Sequence, residues 1–444
     1  MDNVDFIELS KVCYLEKGKT GLMKAKKGKY PLVATGKDRR TCDTYQFDAK
    51  AVCVPLVSST GHGHASLKYI HYQEGKFALG TILVALIPKD ENILNAKFLH
   101  LYLSRLKDTL LVPLMSGAAN VTLTVTKLKK VKIPLLSINK QLKIVSLFNR
   151  INNEHVILLN ELQTQQTLLK KLRQAILQEA IEGKLTASWR EKNPNIESAS
   201  VLLEKIKAEK EELIKAKKIR KQKPLPPINK DEIPFNIPEN WVWCRVGELI
   251  YDTSGGKSPK CQNNTVKNNE WGVIKTTAIQ DMYFDENMNK VLPNTFDILE
   301  HYIIHNGDLL ITRAGPINRV GIVCEVEKLT KNLILSDKTI RINHNKRLVL
   351  SKFIQYILSS YTVKKNMKSY MTGMADSQVN ISQNNMKNFI MVLAPLQEQK
   401  QIVKKIESLF KLCDKLEEQI KSSKESSEKL MQSVLREAFE VEEK

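Results

Sequence analysis

Several features are scarce in this chain of 444 residues, and each scarcity closes off a class of protein. The seven cysteines, at 13, 42, 53, 244, 261, 324 and 413, are odd in number, scattered and never spaced Cys-x-x-Cys. That argues against a disulfide framework or a cysteine zinc site, and favours a reducing, cytoplasmic compartment. No apolar run approaches the roughly 18 residues of a membrane span, so no membrane partner is expected. The opening residues lack a basic stretch followed by an apolar one, so no secretion leader is expected either.

Catalytic signatures are missing as well. A P-loop needs glycine five residues before Gly-Lys-[Ser/Thr], but Gly18-Lys19-Thr20 has Cys13 there and Gly256-Lys257-Ser258 has Tyr251. The Asn/Asp-Pro-Pro-aromatic loop of amino-methyltransferases is absent, Asn193-Pro194-Asn195 being the nearest approach. His62-Gly63-His64 and the His301, His305 pair lack acidic or cysteine partners at ligand spacing, so no metal site is expected. No catalytic residue is predicted.

Acidic residues are outnumbered, 48 Asp+Glu against 69 Lys+Arg, leaving +21 at pH 7. On a chain with 42% hydrophobic residues this points to a folded protein with a polyanionic partner, nucleic acid first. Solubilising lysine alone would give the same surplus.

What the sequence does contain is a repeat. Lys140-Gln141-Leu142-Lys143-Ile144-Val145 matches Glu398-Gln399-Lys400-Gln401-Ile402-Val403, an offset of 258. The same offset lays residues 171–180 on 429–438 and Leu123-Thr124 on Ile381-Ser382, with no gap. The chain is a tandem duplication. Each copy predicts a long helix, the first from about Leu142 to Ile181 with Gly183 as its stop. Ile151, His155, Leu158, Leu162, Gln165, Leu169, Leu172 and Ile176 step by alternating fours and threes, as do Leu409, Cys413, Leu416, Ile420, Ser423, Ser427, Leu430 and Val434. That is a coiled-coil seam, in which His155 and Gln165 read as register-setting polar residues rather than ligands.

A mixed globular region precedes each helix. Residues 30–34, 51–57 and 77–86 read as strands and 96–107 as a helix in the first. In the second, residues 273–277, 308–311, 320–326 and 339–342 read as strands and 351–361 as a helix. Asn95-Ala96-Lys97-Phe98-Leu99 resembles Leu350-Ser351-Lys352-Phe353-Ile354 at an offset of 255, so the globular halves changed length while the helices kept register. Between the halves, residues 197–223 read as helical. They end in Lys215, Lys217, Lys218, Arg220, Lys221 and Lys223, a solvated face or a contact to a DNA backbone. Pro224-Leu225-Pro226-Pro227 then starts an extended linker.

Polar, glycine-bearing loops in both regions carry residue types suited to DNA. Arginine and lysine fit guanine, carboxamides fit adenine, and small hydroxyls fit phosphates. Each loop alone reads first as an ordinary turn, and it is the set, on two divergent basic domains, that points to DNA. The candidate DNA-binding residues are Lys19, Thr20, Lys37, Arg39, Arg40, Ser59, Thr60 and His62 in the first region. In the second they are Lys257, Ser258, Lys275, Thr276, Arg313, Asn318 and Arg319.

Leu172 to Arg190, with Gly183-Lys184-Leu185-Thr186 and Trp189-Arg190, resembles the central conserved region of the specificity subunit of type I restriction-modification systems. Ile233-Pro234-Phe235-Asn236-Ile237-Pro238-Glu239-Asn240-Trp241 resembles that family's lead into the second recognition domain, and Pro395-Leu396-Gln397-Glu398-Gln399 its entry to the distal helix. The first copy departs from the pattern, reading Ser137-Ile138-Asn139-Lys140-Gln141 without the proline and glutamate. The resemblance implies an α+β fold in which two globular α/β-mixed target-recognition domains are joined by two long antiparallel, coiled-coil-like helices, a pseudo-twofold tandem duplication. Residues 1–138 would be the first recognition domain and 139–240 the central conserved helical region and linker. Residues 241–396 would be the second recognition domain and 397–444 the distal conserved helix.

The resemblance also implies a division of labour. This chain would be non-catalytic, each domain reading one half of a bipartite asymmetric site in double-stranded DNA. The helix pair would act as a ruler for the unread spacer, through Ile151, Leu158, Leu162, Leu169, Leu172 and Ile176 on one helix and Leu409, Leu416, Ile420, Leu430 and Val434 on the other. The implied partners are two modification subunits, which methylate adenine with S-adenosylmethionine, and two restriction subunits, which use ATP and magnesium to translocate and cleave. No cofactor is expected in this chain itself. Leu159, Leu168 and Phe410, off the seam, are candidates for docking those partners or for packing on their own domains. The competing readings are a fused DNA methyltransferase or nuclease with an unrecognised motif, and a scaffold whose charge is incidental.

Overall fold

The structure, a computed structural model, describes residues 5–60, 63–118, 120–267 and 269–439. The chain divides into two compact units, Met1–Thr164 with Ile420–Lys444, and Gln165–Gln419.

In the first unit Phe6–Glu8 pairs antiparallel with Lys132–Pro134, so the globular region closes on its own start. A four-stranded antiparallel sheet runs in the order Cys13–Lys17, Leu83–Pro88, Ala51–Pro55, His71–Gln73. A second sheet runs Arg40–Cys42, Tyr30–Val33, Lys76–Leu79, Phe47–Asp48, its central pair parallel. Ala51–Pro55 is buried at every position, which explains its unbroken apolar sequence: both faces are covered. The single strand expected over 77–86 is two strands, because the chain turns at Gly80, whose carbonyl accepts the Leu83 amide. Helix Ala96–Leu110, capped by the Asn95 side chain, buries Phe98, Leu99, Tyr102 and Leu103 in the same core as Val52, Val54 and Leu86. Each such side chain contributes about 2 kcal/mol on burial.

The second unit repeats the plan, with three strands rather than four in its second sheet. Val242–Arg245 closes on Ile390–Leu393. The antiparallel sheet runs Ile250–Gly255, Thr339–His344, Leu309–Thr312, Val323–Glu325. Its companion runs Asn289–Val291, Trp271–Ile274, Asn332–Ile334, the last two parallel. Topology has outlasted sequence here: Cys244 pairs with Met391 as Ile7 pairs with Ile133. The buried Arg245 fastens the proline linker, donating to the carbonyls of Pro226 at 2.6 Å and Pro227 at 2.8 Å while pairing with Glu232 at 3.0 Å.

The long helices are Ile138–Ile181 and Leu396–Phe439. Their two pairs of bounds differ by the same 258 residues as the sequences do. Gly183 ends the first with φ 73°, and the Lys184 amide reaches back to the Glu179 carbonyl, as expected of a glycine stop. The connector helix is shorter than expected, Ala199–Lys215 rather than to 223. Lys217 takes a left-handed φ of 56° and the Lys218 amide bonds the Leu213 carbonyl. Beyond that point only Ile219 could have been buried, and clustered lysines repel along a helix face. No described helix is long and apolar enough to cross a membrane.

The seam differs from the expected one in phase. Leu158, Leu172, Leu416 and Leu430 are 40%, 45%, 46% and 63% exposed and lie outside it, whereas Leu162, Leu169, Ile176 and Ile420 are buried. Ile151 and Leu409 are half-buried, and the Val434 side chain lies outside the described residues. The alternate positions on the first helix are one residue later, at Leu159, Gln166 and Arg173, all half-buried. Two of those three are polar, so counting apolar residues selects the neighbouring leucines. In the first unit His155 Nδ1 meets Ser427 Oγ at 2.7 Å, the seam contact expected of both. In the second unit the Arg173 guanidinium lies 5.3 Å over the Phe410 ring and bonds Asp414 at 2.6 Å and Glu417 at 3.2 Å. Phe410 is itself buried against Tyr356, rings 5.9 Å apart, so it packs on its own domain; Leu168 stays exposed.

Candidate nucleic-acid interface

In the first unit Lys19 and Thr20 line a cleft of 650 Å³ with Lys24, Lys26, Asp43 and Tyr45. Gln46 shapes its wall, accepting the Lys19 amide at 2.9 Å and donating to the Lys17 carbonyl at 2.8 Å. Tyr45 is half-exposed, 4.9 Å from the Tyr30 ring and under the Lys76 ammonium at 5.0 Å. Cations beside an open aromatic face suit a nucleic-acid strand. Lys37 and Arg40 are exposed. Arg39 is held by its own domain, donating to Gln73 at 3.0 Å, to the Tyr72 carbonyl at 3.1 Å and to His71 Nδ1 at 3.1 Å. An arginine can only donate, so Nδ1 accepts and the His71 proton sits on Nε2, a buried atom. Burial, then the Arg39 charge, push the His71 pKa down to about 4. Ser59 Oγ accepts the Lys68 amide at 2.9 Å and Thr60 Oγ1 donates to the His64 carbonyl at 3.2 Å, tying that loop shut. His62 lies outside the described residues.

In the second unit Lys257 and Asn318 are exposed, and Ser258 Oγ accepts the Asp337 amide at 3.3 Å. Arg319 is engaged internally, as Arg39 is. Its guanidinium donates to the Thr276 carbonyl at 2.8 Å, the Ile279 carbonyl at 2.7 Å and Gln280 at 3.3 Å, bringing Thr276 and the neighbouring Lys275 to its side. Arg313 Nε donates to Asn380 Oδ1 at 3.3 Å. Among the described residues no three His, Cys, Asp or Glu side chains stand together as a metal site.

Two features escaped the sequence reading. Each unit carries a short ribbon beside these loops. In the first, Ser116 pairs with Thr122, which also bridges Val57. In the second, Thr372–Ala375 pairs with Gln378–Asn380, which also pairs with Ala314–Gly315. The offset of 258 continues upstream of Leu123 through these strands, hidden because Asn120-Val121-Thr122 and Gln378-Val379-Asn380 share only valine. The other feature is a buried glutamine at the start of each long helix. Gln141 accepts the Asn95 amide at 2.8 Å and donates to the Leu136 carbonyl at 2.8 Å. Gln399 accepts the Leu350 amide at 3.1 Å and donates to the Ala394 carbonyl at 2.9 Å.

Both copies of this architecture match one family model, the type I restriction modification DNA specificity domain, over residues 1–169 and 238–424. The chain belongs to that specificity family. Among the family's curated members it is 41% identical over 264 residues to the type I restriction enzyme EcoEI specificity subunit of Escherichia coli, a stretch covering 59% of this chain and 44% of that protein. It is 31% identical over 274 residues to the EcoAI specificity subunit of the same species, covering 59% and 43%. The matched stretch is thus less than half the length of either relative. Among solved structures, the HsdS subunit from Thermoanaerobacter tengcongensis superposes with a TM-score of 0.53 at 14% identity, covering 99% of this chain and 97% of that one. A chain described under "Structural basis underlying complex assembly and conformational transition of the type I R-M system" does so at 0.56 and 14%, covering 99% and 98%. At such identity these two share the specificity fold with this chain.

Proposed function

We propose that the chain is the DNA-recognition component of a type I restriction-modification complex and has no catalysis of its own. Each globular domain reads one half of a bipartite, asymmetric site in double-stranded DNA. The two long helices set the spacer between the halves. Two modification subunits, bringing S-adenosylmethionine, methylate adenine at the selected site, and two restriction subunits, bringing ATP and magnesium, translocate and cleave. The complex works in the cytoplasm.

The observation that carries this reading is unequal divergence. The long-helix bounds and the caps Thr124 and Ser382 stand 258 residues apart and the closing strands share a register, while the domains keep topology and lose sequence. Two identical readers would see a palindrome; two divergent readers on matched helices see two different half-sites at fixed separation. The +21 charge supplies the phosphate affinity that such reading needs.

The test is methylation mapping. The chain combined with its modification subunits and labelled S-adenosylmethionine should mark adenines at one split sequence, and the chain alone should mark none. Label incorporated by the purified chain alone would support the fused-enzyme reading instead. Binding that does not weaken steeply between low and moderate salt would contradict DNA recognition.

A further inference from the structure

The two ribbons share a frame, one bridge pair in the first and a longer, bulged strand pair in the second, and the likeness extends to one outward-facing position. Ser116 exchanges both backbone hydrogen bonds with Thr122 at 2.9 Å, and Thr372 is the register partner of Asn380. Glycine follows the first partner in both, because the strands approach too closely for a side chain. A Cβ on Gly117 would lie 2.2 Å from the Asn120 carbonyl oxygen, and one on Gly373 would lie 2.4 Å from that of Gln378. The foot of each ribbon is pinned from the helix after it. Lys127 Nζ donates to the Leu114 carbonyl at 2.9 Å, and Asn385 Nδ2 donates to the Tyr370 carbonyl at 2.9 Å. Val121 and Val379 anchor the second strand, 6% and 7% exposed.

The residue before each anchoring valine is a carboxamide, Asn120 in one domain and Gln378 in the other, 258 apart. Both are exposed, and among the described residues neither side chain has a hydrogen-bond partner. Neighbouring carboxamides are engaged: Asn380 accepts from Arg313, and Asn385 holds the ribbon's foot. The tips differ in length. Two residues separate Gly117 from Asn120, and four separate Gly373 from Gln378. The longer tip is fastened by the Asp376 carbonyl, which accepts the Ile317 amide at 2.8 Å.

We propose that Asn120 and Gln378 are specificity-determining residues, each reading an adenine edge in its own half-site from a ribbon laid in the major groove. A two-stranded ribbon fits that groove, and a free carboxamide offers the donor and acceptor that match adenine N6 and N7. The inference rests on the DNA-recognition reading above and adds to it the element that reads and the base read. The different tip lengths let two similar frames present the carboxamide at different depths, which is how two readers can differ while sharing one scaffold.

The experiment is selection from a library of randomised duplexes by the full chain assembled with its modification subunits. Gln378→Ala should lose preference for one adenine in one half-site by roughly ten- to a hundredfold and leave the other half unchanged. Asn120→Ala should do the same in the other half. Gln378→Glu, which accepts but cannot donate, should move the preference at that position from adenine toward cytosine. Unchanged thermal midpoints would confirm that these exposed positions are not needed for folding. If the wild-type chain selects a split site and all three variants keep its base preferences, the inference is overturned and the proposed function stands. An equal loss across every sequence also overturns it, by showing a phosphate contact. A wild-type chain that selects no sequence overturns both.

Discussion

Gln141 Oε1 accepts the backbone amide of Asn95 at 2.8 Å, which joins the first residue of a domain helix's cap to the first turn of a long helix. The same side chain donates to the Leu136 and Ile93 carbonyls, both at 2.8 Å. The joint recurs in the other copy between Gln399 and Leu350. Replacing Gln141 by leucine keeps the volume but strands one donor and two acceptors in a buried site, at a cost of about 1–3 kcal/mol. Hydrogen exchange should show Ala96–Leu110 opening more readily, with Ser351–Ser359 unaffected; no change at the first helix would mean the joint is redundant.

Glu398 is the second buried joint, and it exists in only one copy. Its carboxylate accepts from Thr186 at 2.7 Å, Trp241 Nε1 at 2.8 Å and Arg190 Nε at 3.0 Å, all within the second unit. The corresponding residue of the first copy is Lys140. Glu398→Ala leaves a half-buried guanidinium, an indole N–H and a hydroxyl without their acceptor, so it should cost about 3 kcal/mol. Glu398→Gln keeps one acceptor oxygen and should cost less. Urea unfolding followed by tryptophan fluorescence would show both, and equal midpoints for Ala and Gln would contradict the charge-pair account.

The seam supplies a direct comparison. Leu162→Ala and Leu169→Ala remove buried side chains and should each cost about 2–4 kcal/mol. Leu158→Gln and Leu172→Gln alter exposed positions and should stay within about 0.5 kcal/mol. Thermal midpoints in the four variants decide it; equal losses in both pairs would restore the seam expected from sequence.

That contrast shows where sequence stops being informative. The duplication, both long helices and the Gly183 stop were legible because period, offset and glycine chemistry are properties of the chain itself. The phase of the seam was not, because Arg173 is a seam residue only through its stacking on Phe410 and its bonds to Asp414 and Glu417, far away in sequence. Among the candidate contacts, Arg39 and Arg319 carry the right chemistry, yet their guanidiniums are held by carbonyls of their own domains. The pairing of Ser116 with Thr122 was hidden for a related reason: main-chain pairing leaves little trace in residue identity.

Acid should loosen both units through two buried histidines. Burial, the Arg39 charge and the His100 charge lower the His71 pKa to about 4 in the first unit. In the second unit burial lowers that of His344 to about 4, where Ser351 is its hydrogen-bond neighbour and Lys346 a nearby charge. An unfolded histidine titrates near 6.5, so between these values the unfolded chain binds protons that the folded chain refuses. Stability is therefore complete above about pH 6.5 and is lost as pH falls toward 4, by up to about 3 kcal/mol per histidine. His71→Asn keeps an acceptor for Arg39 without a titrating ring. Urea midpoints of this variant should fall less than wild type between pH 7 and pH 5, and parallel curves would show that His71 does not carry the acid sensitivity.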